Sequence, residues 1–368
     1  MTTHQETLGD PYRVCLAYCW PGITSSAFGF DADGEPAERT HPRFAYASAF
    51  TDPRCRLVDR SPAVDSSASR LTRALKVVPR TIGMIGAFAR ADVVISYLTP
   101  HLLIAAMVKM VRPRLKVVTL RYRLGPHRRG LRAWIDHLKS FAYRRVDRIA
   151  CLVPSQMEAF VERYGVGPNQ VEWMPFGIDT QFFTPGRSVK RKPVIFVPGN
   201  HQRDEQTVLE LARTGGVHIV RVSNAPWVRE VYVPALRDEP ELARWLTYEE
   251  DVPAERLRDL YRSASAAWIP VIETDEPAGL TSALEAAACG CPLYVPTGLT
   301  TEVLDRIDVP YTSVSNNDSM LVTLHGAIVK TPDARASRAL VEAVRAAASV
   351  EVASEALHHQ VDALITAE

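Results

Sequence analysis

Apolar and polar positions alternate along this chain in two ways, as short β-branched runs and as longer segments with a helical period. Residues 13–20, 91–97, 115–120 and 148–153 are strand-like runs, the second and third of the buried parallel kind. Between them, 101–111 reads as a helix closed by Arg112-Pro113 and 131–146 as a long amphipathic segment. Ser155 reads as the N-cap of a helix that runs to Tyr164 and stops at Gly165. After a polar linker at 184–192 the pattern resumes, with strands at 193–198, 217–222 and 267–272 and helices at 204–213, 254–264 and 281–289. A last helix fits 350–365. Such alternation predicts doubly wound parallel sheets, one on each side of the linker.

Charge sharpens that division. The 368 residues carry a formal net charge of only +1, yet residues 1–192 hold 29 Lys/Arg against 16 Asp/Glu, and residues 193–368 hold 14 against 26. Two units with different faces are expected, with an anionic partner for the first. The positive charge is densest over 112–148, interleaved with Trp134, Leu138 and Phe141. A membrane-surface patch, a seat for an anionic soluble acceptor and a solvated basic face all fit that stretch. Nucleic acid does not, because no binding motif accompanies the charge. Cysteines 15, 19, 55, 151, 289 and 291 have neither disulfide nor zinc spacing and read as reduced thiols. The N-terminus lacks an apolar leader, and the most apolar stretch, 102–111, is far shorter than the roughly 20 residues of a membrane span. The expected location is cytoplasmic, with peripheral contact at the inner membrane face as an added option.

Candidate chemistry concentrates in residues 273–292, ETDEPAGLTSALEAAACGCP. A loop bearing carboxylates leads through Gly279 into a helix whose N-terminal amides and dipole suit a phosphate. Thr281 is placed to cap the helix and to donate its hydroxyl to the same anion. Glu285, one turn further, is placed for hydroxyls such as those of ribose, and Glu276 or Glu273 for those of a sugar ring. A capped core helix with Leu280, Leu284 and Ala288 facing inward accounts for the same periodicity.

The segment resembles the signature of the group 1 (family 4) glycosyltransferases, a Glu, seven residues and a second Glu within E-P-F-G-L-x-x-L-E-A-M-A-C-G-x-P. Residues 149–185, 254–270 and the closing SVEVASEALHHQVDALI are similar to further elements of that family. The resemblance implies the GT-B fold: two Rossmann-like doubly wound parallel-sheet domains facing a cleft, with a C-terminal crossover helix. It divides the chain into an acceptor domain over 1–185, a nucleotide-sugar domain over 186–348 and a returning helix over 349–368. It places the amides of Gly279, Leu280 and Thr281 on the distal phosphate and Glu285 on the ribose. The hexose falls to Glu276 or Glu273, because eight residues separate Glu276 from Glu285 where the family has seven, and Ala278 stands for the usual Phe.

Gly199 and Arg203, in GNHQRDEQTVLELA, match the family's diphosphate loop, although the Lys that customarily follows is missing. Catalytic roles fall to Glu276 and Arg203. On the acceptor side, Gly22 sits where a glycine loop belongs, and Arg121 or Arg123 either face the cleft or join the basic surface. A family His is absent there, His101 is a weaker substitute, and His201 reads as a loop residue. Gly177 and Asp179 read as structural. Asp31-Ala-Asp33 reads as a solvated loop, and no metal site is expected. The implied reaction moves a sugar from a UDP- or GDP-type donor with retention of configuration, without a metal or a permanently bound cofactor. A non-catalytic partner subunit and a sugar-nucleotide epimerase are the alternatives.

Overall fold

The computed structural model describes residues 12–17, 42–43, 45–46, 49, 55–60, 84–96, 99–121, 124, 133–186, 190–272, 274–314, 318–329 and 333–366. They form two compact units, one from residues within 1–37, 46–175 and 353–368 and the other from residues within 38–45 and 176–352.

In the first unit the elements run β1 (Tyr12–Ala17), β2 (Cys55–Arg60), α1 (Ile85–Arg90), β3 (Val93–Ser96), α2 (Thr99–Val111), β4 (Lys116–Arg121), α3 (Ala133–Tyr143), β5 (Arg148–Cys151), α4 (Ser155–Tyr164) and β6 (Val171–Trp173). The six strands make an all-parallel sheet in the order β2-β1-β3-β4-β5-β6. Helices on a parallel sheet bury both its faces, which is why β3 and most of β5 lack polar alternation. Phe88, Leu102, Tyr143, Phe160 and Tyr164 fill the core beside them. Ser155 does not cap α4 as the sequence suggests: it is the first helical residue, after Pro154, whose fixed φ suits a helix start. Gly165, at φ 60°, ends the helix in the left-handed region.

The second unit runs β7 (Lys192–Pro198), α5 (Glu205–Thr214), β8 (His218–Val222), α6 (Pro226–Asp238), β9 (Leu246–Glu249), α7 (Ala254–Ser263), β10 (Ala264–Trp268), α8 (Leu280–Ala288), β11 (Leu293–Val295), α9 (Leu299–Arg306), β12 (Thr312–Ser313), α10 (Asp318–Val329) and α11 (Ala334–Ala347). Helix α12 (Val350–Thr366) begins here and belongs to the first unit from Ala353 onward. The sheet order is β12-β11-β10-β7-β8-β9, again all parallel. Strand order therefore reverses between β7 and β10. In a doubly wound sheet the loops leaving the carboxyl ends of such a pair diverge and open a crevice.

Strand β10 ends at Trp268 rather than reaching residue 272, as its apolar run suggests. The chain beyond it turns to pair with another loop: Arg203 and Val271 form an antiparallel bridge, Asp204 N–H donates to Pro270 O at 2.7 Å and Ile272 N–H to Gln202 O at 3.0 Å. No described helix is long and apolar enough to cross a membrane.

Candidate functional site

The loops after β7 and β10 meet at that crevice. Gly199 leaves β7 at φ 106°, where a side chain would run into the Arg203 guanidinium. Gly279 precedes α8 at φ 89°, and a Cβ there would stand 2.5 Å from Ile269 Cγ2 and 3.3 Å from Arg203 Nη1. Both positions need glycine, in conformation and in space. They bring two backbones and the first turn of α8 around one side chain, Arg203.

Arg203 is 8% exposed. Its Nε donates to Pro198 O at 2.9 Å, Nη1 to His201 O at 2.7 Å and Nη2 to Ser282 Oγ at 3.3 Å. Burial, followed by the nearby Arg221 cation, lowers its pKa to about 10, so it remains charged at neutral pH. No carboxylate is bonded to it among the described residues. A second guanidinium, Arg221, is fully buried one strand away and is differently served. It makes a two-bond pair with Glu205, at 3.0 and 2.6 Å, and donates to Gly199 O at 2.7 Å and Val222 O at 2.6 Å. Tyr232 Oη donates to Glu205 Oε2 at 2.7 Å, and its ring stacks on Tyr248. Glu205 thus neutralises Arg221, while Arg203 keeps a buried charge beside a helix N-terminus. The sequence reading missed Arg221 and Tyr232, since one Arg inside a strand and one Tyr on a helix carry no motif.

Of the residues expected around this site, Gly199, Arg203, Gly279 and the start of α8 come together. Thr281 does not cap the helix: Gly279 is the N-cap, and Thr281 is exposed at the second helical position. Leu280 is buried. Glu285 lies on the face that carries Ser282, one turn on, and accepts a hydrogen bond from Tyr261 Oη at 2.8 Å. Burial pushes its carboxyl up to about 7, against the lowering effect of that bond.

Glu276 lies in the loop before α8. It lines a cavity of about 630 Å³ with Thr274, Ala278, Thr297, Thr300 and Thr301, and Thr300 Oγ1 donates to Ala278 O at 2.8 Å. Glu273, Gly22, Arg123, Asp31 and Asp33 lie outside the described residues, as does the side chain of Arg121 at the end of β4. His101 is buried within α2, and His201 is an exposed loop residue against Trp227, ring centroids 5.2 Å apart. Asp179 is structural: it is buried under Arg43, at 3.0 Å, and accepts from Gln181 N–H. Cys15, Cys151, Cys289 and Cys291 are buried free thiols.

Two doubly wound units, one with a buried cation at its switch point that no carboxylate meets among the described residues, define an α/β protein of the GT-B type. Residues 28–182 match the family described as Glycosyltransferase Family 4. The chain is 27% identical over 193 residues to a D-inositol 3-phosphate glycosyltransferase of Kribbella flavida, covering 44% of this chain and 43% of that protein. It is 28% identical over 188 residues to the enzyme of the same description from Acidothermus cellulolyticus, covering 43% and 40%. The matched stretch thus spans about two fifths of those relatives. Among solved structures, Anabaena HepE in complex with UDP matches with TM-score 0.67 at 12% identity, covering 96% of this chain and 100% of that one. Sucrose-phosphate synthase from Thermosynechococcus elongatus matches with TM-score 0.69 at 14% identity, covering 97% and 100%. These findings support the resemblance to the group 1 glycosyltransferases, and the solved neighbours support the GT-B fold.

Proposed function

We propose that the protein is a glycosyltransferase that moves a sugar from a nucleoside diphosphate sugar to an acceptor. The observation that carries this reading is Arg203, a buried guanidinium bonded, among the described residues, to carbonyls and a hydroxyl and to no carboxylate, at the switch point and against the N-terminus of α8. A diphosphate completes its coordination and supplies the missing negative charge. Solved neighbours include Anabaena HepE with UDP-glucose, which favours a UDP-type donor; a GDP-type donor fits the same chemistry. Gly199, Gly279, Leu280 and Thr281 approach the phosphates, Glu285 the ribose, and Glu276 or Glu273 the sugar.

In the reaction the bond from the sugar anomeric carbon to the diphosphate oxygen breaks, and the acceptor oxygen bonds to the same carbon from the same face. A donor phosphate oxygen takes the acceptor proton. Attack from that same face retains the configuration, and Arg203 with the helix dipole stabilises the charge that gathers on the leaving diphosphate, the part a metal would otherwise take. The acceptor is anionic or lipid-linked and meets the first unit, with Gly22, Arg121 and Arg123 on its side. Separately, at the amino ends of β4 and β5, the opposite rim of the sheet from Arg121, a cavity of about 620 Å³ is lined by Lys109, Arg144, Arg145 and Arg148 with Asp147, Met110 and Leu364, and Met107 and Val111 of the neighbouring α2 are exposed. That mixture of cations and apolar side chains suits peripheral contact with an anionic membrane.

The test is nucleotide release and sugar transfer with a panel of UDP- and GDP-sugars, alongside UDP and GDP affinity. Arg203→Gln is expected to weaken the bound nucleotide by about 2 kcal/mol, one charge-assisted contact, and to lower turnover further. Wild-type protein that neither binds nor cleaves any of the panel sinks the enzyme reading and leaves a partner subunit. Release of an epimerised free sugar without acceptor points to an epimerase.

A further inference from the structure

Tyr261 carries no part of the proposed chemistry, yet its placement is specific. It sits at the end of α7, fully buried, edge-to-face with Phe196 of β7 at 4.9 Å and with Phe183 at 6.1 Å. The two rings fix the phenol from two sides. Its hydroxyl donates to Glu285 Oε2 at 2.8 Å, while the Ser282 hydroxyl, which accepts from Arg203, lies against the phenol oxygen. Glu285 Oε1 has no hydrogen-bond partner among the described residues and is not sealed from solvent. One carboxylate oxygen is therefore anchored inside the unit, and the other keeps some contact with solvent.

A glutamate side chain has three rotatable bonds, and an unanchored one loses that freedom when a ligand binds. Anchoring through Oε2 removes the cost beforehand. It also fixes Oε1 one helical turn from Ser282 and hence from the arginine, about the separation of a nucleotide's phosphate from its ribose hydroxyls.

We propose that Tyr261 is a positioning residue that presents Glu285 Oε1 to the ribose hydroxyls of the nucleotide, and that it thereby sets the preference for ribose over deoxyribose. The inference rests on the reading of Glu285 as the ribose ligand. It adds a residue from α7, twenty-four positions earlier in the chain, to the specificity of that site.

The test compares the affinity of the full chain for UDP and GDP with that for their 2′-deoxy forms. Tyr261→Phe keeps the ring and its packing and removes the hydroxyl. It should weaken the ribonucleotides roughly tenfold, leave the deoxy forms unchanged and so collapse the ratio between them. Glu285→Ala should collapse the same ratio, and Tyr261→Phe on that background should have no further effect on it. Glu285→Asp, which draws the carboxylate back by one methylene, should behave like Tyr261→Phe and provides a second route if that variant folds poorly. A normal ratio in Tyr261→Phe and Glu285→Asp, with a collapsed one in Glu285→Ala, overturns the role of Tyr261 alone. A normal ratio in Glu285→Ala overturns the ribose reading itself, and a lower melting temperature with no change in ratio marks Tyr261 as merely structural.

Discussion

Arg203 and Glu285 respond to burial in opposite ways. The guanidinium keeps its charge even at a pKa of about 10, whereas the carboxyl is half protonated near pH 7. The Glu285 pKa is raised above its ordinary 4.5, so the folded chain holds a proton that the unfolded chain has already released between about pH 4.5 and about pH 7. Stability must therefore fall as pH rises through that window, and Glu285 favours the fold least at alkaline pH. Thermal melting from acid to alkaline pH should show this downward slope, and Glu285→Gln, which cannot ionise, should flatten it. Equal slopes in the two proteins would show that another group dominates. At this scale the sequence grouped Gly279 from its turn into a helix and Gly199 and Arg203 from the family resemblance, and the structure brings these three residues together. The cap was misplaced at Thr281 because a positive-φ glycine can replace a capping hydroxyl, and spacing does not reveal φ.

Elements are held in place here by a side chain that no pattern marks. Arg221 reaches from β8 to the carbonyls at the end of β7 and to Glu205 at the start of α5, so one guanidinium ties three elements behind the Gly199 loop. Replacing it with Met should leave the part-buried Glu205 without its cation and cost about 2–4 kcal/mol of stability, measurable as a shift of the denaturation midpoint. A cost below 1 kcal/mol would mean that water reaches Glu205. Many strands and helices were readable from periodicity, but β2, β6, β9, β11 and β12 and α1, α6, α9, α10 and α11 were not. Pro234 lies inside α6, and β9, Leu-Thr-Tyr-Glu, is too short for alternation to stand out. The end of β10 was misjudged because its apolar run continues into the bridged loop, where Val271 pairs with Arg203 instead of with the sheet.

For the molecule as a whole, the charge asymmetry of the sequence sets a long-range expectation. Binding to vesicles rich in anionic lipid should exceed binding to neutral ones and fall steeply with salt, and Lys109, Arg144 and Arg145 changed to Ser should abolish the difference. Salt-insensitive binding, or none, would return the basic face to plain solvation. The way the chain is shared between the units has its own consequence. Arg43 bonds to Asp179 and Glu351, so an early stretch is held by the second unit, while residues from Ala353 onward complete the first. A ribosome that has finished residues 46–175 has therefore not yet supplied everything their unit requires. That unit must wait, partly assembled, through the synthesis of nearly two hundred more residues. Maturation of the two units is interlocked in time, and a chain stopped before residue 353 forfeits the completion of the unit it made first.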